Sequence, residues 1–169
     1  MLLRSRSAAF GLALLAAAAP ACSAAADTTL RAPIVVQASI RGVALGMTPA
    51  EVRSALGAPA GSGVSPNPIV GKVRVWRYPG LRIVFDSTRA GRTVLSVTTT
   101  SRDDRTVAGV GVGSPEADVA RSVRGVRCAT RYGYRSCMVG GGRPGQIATD
   151  FSISGTARVT RVTLSRVVD

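Results

Sequence analysis

Histidine is missing from this chain, and lysine occurs once, at Lys72. The first absence removes the commonest general base and the commonest metal ligand, so Ser-His triads and His-containing zinc sites are excluded. The second leaves Lys72 as the only amine for a Ser-Lys arrangement. Aromatic residues are scarce, at 4% against a hydrophobic fraction of 46%, so the apolar content is largely small Val and Ala. The uncharged run at 8–19 is too short to span a bilayer, which takes about 20 apolar residues. These absences lead to the expectation of a non-catalytic protein with no cofactor and no metal site.

What is present is positive charge: 22 Lys and Arg against 9 Asp and Glu, for a net +13. Arg4 and Arg6, the apolar run and the small residues ending at Ala26 have the layout of an export signal over 1–26. Its removal would take the charge from +13 to +11. Residues 27–39 read as a tether. Cys22 has two readings: the lipidated first residue of a lipoprotein, or a residue discarded by cleavage at 24–26. The expected location is correspondingly the cell envelope through a lipid anchor, or secretion. Cys128 and Cys137 enclose a short segment of an exported chain, where oxidation is permitted, and predict a disulfide. Export argues against nucleic acid and leaves anionic envelope polymer or lipid headgroups as partners for the charge. Membrane contact is otherwise expected only through the lipid.

The stretch from Gly46 to Pro59 carries its own start and stop. Thr48 is placed as N-cap, Pro49 at the first helical position and Glu51 as the return arm of a capping box. Val52, Ala55 and Leu56 have the spacing of one buried face, and Gly57 and Pro59 end the helix. Moving Gly42, Val43, Gly46, Ala50 and Val52 along by 67 positions lands on Gly109, Val110, Gly113, Ala117 and Val119. The chain therefore reads as a repeat, with a second helix capped at Ser114-Pro115 and ended by Gly125. Residues 61–71 read as a loop. Alternation predicts strands at 72–78, 81–86 and 92–100, then at 129–134, 136–139, 149–153 and 157–167. Val73 and Val75 are assigned to the core-bound face, and Arg74, Trp76 and Tyr78 to a polar face with aromatics.

The run Gly46-Met47-Thr48, Glu51-Val52, Leu56-Gly57 and Pro59, followed by a strand with Trp76 and Tyr78, resembles the SmpA/OmlA outer-membrane lipoproteins, the E component of the β-barrel assembly machinery. A tandem pair of such units resembles the beta-lactamase inhibitor protein. The resemblance implies an α+β fold of two tandem units, at 40–105 and 106–169. Each would be a short helix or helical pair packed on a three- to four-stranded antiparallel sheet. It also implies a scaffold for protein contact, inhibitor-like or serving envelope assembly.

Two motifs are set aside in favour of structural readings. Asp103-Asp104, flanked by Arg102 and Arg105, read as solvated ion pairs rather than a cation site. Gly109-x-Gly111-x-Gly113-Ser114 reads as turn geometry rather than a phosphate loop, because Glu116 and Asp118 would repel a phosphate. The candidates for protein binding are Arg74, Trp76, Tyr78, Arg82, Tyr132, Tyr134 and Arg161, with the aromatics divided evenly between core and interface. The expected function is binding of another exported or envelope protein through a sheet surface. The alternative is a basic module for anionic wall polymer or headgroups.

Overall fold

The computed structural model describes residues 33–68, 71–86 and 92–167. The expected leader, Cys22 and the first part of the tether lie outside the described residues.

Helix α1 (Pro49–Leu56) starts where its cap is written. The Thr48 hydroxyl oxygen accepts the Glu51 amide at 3.3 Å, and the Glu51 carboxylate accepts the Thr48 amide at 2.7 Å. Two amides that a helix start leaves without partners are thereby satisfied. Gly57, at φ 78°, ends the helix and donates to the Arg53 carbonyl. Val52 is fully buried and Leu56 half-buried, but Ala55 is exposed, so the buried stripe is narrower than its spacing predicts.

Helix α2 (Glu116–Ser122) is capped differently from the expectation. The Ser114 hydroxyl takes the Gly111 amide at 3.1 Å and the Arg105 guanidinium at 2.9 Å, and Pro115 stands at the N-cap with no side-chain bond. The helix ends at Ser122, before Gly125. At Gly111 a Cβ would lie 2.2 Å from the Asp104 carbonyl oxygen, so this glycine answers to a backbone crossing, not to a phosphate.

A small hairpin of β1 (Ile34–Val35) and β2 (Ser39–Ile40) precedes α1. The remaining strands are β3 (Gly61–Asn67), β4 (Gly71–Tyr78), β5 (Leu81–Asp86), β6 (Val94–Thr99), β7 (Arg127–Arg131), β8 (Tyr134–Val139), β9 (Ile147–Ile153) and β10 (Val159–Arg166). They form one antiparallel sheet in the order β3-β4-β5-β6-β10-β9-β8-β7. Each meander follows a helix, and the two meet where β6 pairs with β10, from Thr99 opposite Val162 to Ser96 opposite Ser165.

This single sheet corrects the expected fold class and with it the SmpA/OmlA and inhibitor resemblance. The protein is mostly β, with one eight-stranded sheet, one two-stranded sheet and two short helices among the described residues. It is not an α+β pair of tandem helix-on-sheet units. The physical reason lies in the last strand of each meander. Val94 and Val97 on one, and Val159, Val162 and Leu164 on the other, are all buried in one cluster. Joining those strands removes two exposed sheet edges and merges two cores that would be too small alone. Within this frame the 67-residue offset still relates positions of like backbone. Gly46 and Gly113 share φ 88°, and their amides donate to the Val94 and Val159 carbonyls at 2.9 and 2.7 Å.

Residues 61–67, expected as loop, form edge strand β3, whose register with β4 runs from Gly61 opposite Arg77 to Asn67 opposite Gly71. The face assignment on β4 is also reversed. Trp76 lies with Phe85, Ile83, Val52 and Val119 in the main cluster, on the face covered by α1, α2 and the β1–β2 hairpin. Val73 and Val75 join Val84 in a smaller cluster on the opposite face, with Leu95 packed against it. No helix contributes to that second cluster among the described residues.

Candidate functional site

The face of the sheet turned away from the helices carries a polar rank that crosses the strands. Register places Arg77 opposite Arg82, Arg82 opposite Thr98, Thr98 opposite Thr163, Thr163 opposite Asp150, and Asp150 opposite Met138. A parallel rank sets Ser152 between Arg161 and Ser136. All of these side chains except Ser136 line an open groove of about 660 Å³, bordered also by Tyr78 and Leu81.

The groove is held together by short-range hydrogen bonds. Arg161 Nε donates to Ser152 Oγ at 3.1 Å, and Ser152 Oγ donates to Asp150 Oδ2 at 3.0 Å. The Thr98 and Thr163 hydroxyls meet across the β6–β10 seam at 3.1 Å. Asp150 Oδ1 is buried with no hydrogen-bond partner among the described residues. Arg77 and Arg82 stand side by side and, among the described residues, form no salt bridge. Like charges directly opposite on neighbouring strands destabilise a sheet, so this pair is not explained by stability. Three guanidinium groups and one carboxylate thus line the groove, an arrangement suited to holding an anionic group.

The sequence candidates separate in space. Arg82 and Arg161 line the groove. Trp76 is 3% exposed, packs edge-on against Phe85 with ring centroids 4.7 Å apart, and lies beneath Arg53 at 4.9 Å. Tyr78 is half-buried beside the main cluster and donates its hydroxyl to the Gly57 carbonyl at 3.1 Å. Burial pushes its phenol above the ordinary 10.0, partly offset by the nearby Arg53 charge. Arg74 is exposed, opposite Phe85 on β5. Tyr132 and Tyr134 are 99% and 77% exposed at the tip of the β7–β8 hairpin. Tyr132 occupies the turn itself, at φ 50° before Gly133 at φ 80°, a two-residue turn of the kind that suits hairpin twist. By strand alternation Tyr134 shares the face of Ser136 and Met138, at the outer end of the polar ranks.

Sequence reasoning missed Arg77, Asp150 and Ser152. The signal for Arg77 was present: Tyr78 and Leu81 flank the two-residue turn Pro79-Gly80, which puts Arg77 directly opposite Arg82. Asp150 was not recoverable without the β8–β9–β10 register.

Other candidate chemistry resolves into structure. Cys128 and Cys137 are directly opposite on β7 and β8 and form the expected disulfide. Glu116 lies near them, but the bonded sulfurs offer no thiolate to a metal. Glu116 instead accepts Arg135 Nε at 3.0 Å, and this carboxylate raises the Arg135 pKa further. Asp104 is not a solvated partner of Arg102 and Arg105, as expected, but is 3% exposed. It takes Arg41 Nε on both oxygens, at 2.8 and 2.9 Å, and the Thr99 hydroxyl lies against its Oδ2. The carboxylate is occupied by that pair, which ties the β1–β2 hairpin to the segment between the two meanders.

No protein-family model and no curated protein sequence matches this chain. Among solved structures it is similar to a DUF4309 family protein, YjgB, from Bacillus subtilis, with TM-score 0.46 and 15% identity over 79% of this chain and 86% of that one. It is also similar to a cysteine-rich secretory protein, SAV1118, from Staphylococcus aureus, with TM-score 0.42, 14% identity and coverage of 72% and 44%. A third similarity is to an extracellular protein containing a SCP domain from Bacillus anthracis, with TM-score 0.43, 10% identity and coverage of 90% and 50%. The chain therefore spans about half the length of the last two.

Proposed function

We propose that this chain is an exported, non-catalytic protein that binds another exported or envelope protein on the face of its sheet opposite the helices. The observation that carries the reading is the groove on that face, with Arg77, Arg82 and Arg161 gathered around hydroxyl side chains and a single carboxylate. Export is supported by the layout of 1–26 and by the Cys128–Cys137 disulfide, which persists in oxidising compartments. Tyr134 and Arg131 extend the same face toward the hairpin tip, where an exposed aromatic beside a cation is the composition of an interface anchor.

The test is differential recovery. The mature chain, immobilised, is exposed to the exported proteins of its own cells, beside two charge-matched variants. Arg82→Gln with Arg161→Gln alters the groove, and Arg121→Gln with Arg124→Gln alters the helical side. Loss of a recovered protein by the first variant alone is the expected result. Equal recovery by both variants and the parent chain overturns the reading.

A further inference from the structure

We infer that the groove takes an acidic, extended peptide segment of the partner, its carboxylates set against Arg82 and Arg161 and its backbone amides toward Asp150. This rests on the protein-binding reading and narrows it to one ligand chemistry. Charge complementarity supplies the first half. Among the described residues Arg77, Arg82 and Arg161 form no salt bridge, and Arg161 donates to the neutral Ser152 hydroxyl. Their guanidinium planes match carboxylates in paired hydrogen bonds.

Asp150 supplies the second half. Its carboxylate lines the same groove, two strands from Thr98, with Oδ1 buried and unpaired and with Oδ2 accepting the Ser152 hydroxyl while keeping a second lone pair for a ligand amide. A ligand made only of acceptors, such as a phosphate-rich polymer or the headgroups of an anionic bilayer, adds like charge beside it. A peptide brings amide donors with its carboxylates and so meets both signs of the groove. The hydroxyls of Thr98, Thr163 and Ser165 between them serve either as donors to carbonyls or as acceptors of amides. Adjacent to this polar floor, Val73, Val84 and Leu95 line a second hollow of about 390 Å³ that also includes Arg82, giving apolar side chains of the same segment a place to lie.

The experiment uses the mature chain and a fluorescent ten-residue peptide alternating Glu with Gly and Val, read by anisotropy. A Lys-for-Glu peptide, inorganic polyphosphate and phosphatidylglycerol vesicles serve as comparison probes. The acidic peptide is expected to bind and the basic one not. Arg82→Gln and Arg161→Gln should each weaken the acidic peptide by about tenfold, the scale of one charge-assisted hydrogen bond. Asp150→Asn should weaken the peptide yet strengthen polyphosphate, because it removes a repulsive charge and an acceptor together. Unfolding midpoints of the variants, measured alongside, identify any that fail to fold, and Thr163→Val then repeats the test within the groove without touching charge. Tighter binding of polyphosphate or vesicles than of the acidic peptide overturns the inference, as does an unchanged affinity in the folded arginine variants. Competition separates this from the broader reading: a partner recovered through the groove but not displaced by excess acidic peptide leaves protein binding standing and removes the acidic-segment inference alone.

Discussion

Trp76 is enclosed between Phe85, Arg53 and the aliphatic cluster around Val52. Truncating it to Ala removes a large buried side chain and leaves a void, which costs about 3–5 kcal/mol. Urea denaturation of Trp76→Ala checks this, and a loss under about 1 kcal/mol would place the ring outside the core. At the helix start, Thr48→Ala should destabilise by about 1 kcal/mol through loss of the cap. Its partner Glu51 gives a pH signature. The Thr48 amide and hydroxyl hold the Glu51 carboxyl below its ordinary 4.5, so the ionised form favours the folded state. Its contribution is present above the unfolded pKa and is lost as pH falls through the lower folded one. Melting temperatures of the parent and Glu51→Gln should therefore differ at pH 7 and converge in acid, once the pH has fallen through the lowered folded pKa. A gap that persists unchanged into acid contradicts the assignment.

The elements most legible in the sequence are those whose signals are local. Helix α1 needed only its cap, its Pro and its Gly, all within one short stretch, and the hairpin around Pro79-Gly80 needed only alternation and a turn. Strand β3 was illegible because Gly61-Ser62-Gly63-Val64-Ser65-Pro66-Asn67 has almost no apolar alternation. It forms because β4 offers backbone partners along its length, and its Gly and Pro are what an exposed edge tolerates. The two faces of β4 were misassigned for a related reason: both carry apolar residues, and only the helices decide which is covered. The β7–β8 hairpin, an edge element with exposed Tyr132 and Tyr134, is bridged by Cys128–Cys137. Replacing both cysteines by Ser should destabilise the protein by roughly 2–3 kcal/mol, from the entropy of a short closed loop. Proteolysis should then begin in 127–139, and cleavage elsewhere first would show that the hairpin does not need the bridge. Arg41→Ala strands the Asp104 carboxylate in a buried setting and should lower stability by about 3 kcal/mol, whereas Arg102→Ala, which removes no partner of that carboxylate, should have little effect.

Across the whole molecule, the succession of helices and strands is largely readable along the chain, but the joining of all eight strands into one sheet is not. That joining depends on β6 recognising β10 across a long separation, a pairing no local pattern encodes. It also creates the candidate site, since Thr98 and Thr163 come from opposite sides of the seam and Arg82 and Arg161 flank it. Of the aromatic candidates Trp76 lies in the core, and the charged residues that line the groove define the other face. Site-directed photocrosslinking tests the central claim most directly. A crosslinking residue placed at Thr163, in the middle of the groove, is compared with one at Ala120, exposed on α2, in the mature protein among the exported proteins of its own cells. The account predicts a discrete protein adduct from position 163 that is absent from position 120. Adducts from position 120 alone, or identical adducts from both, would contradict it.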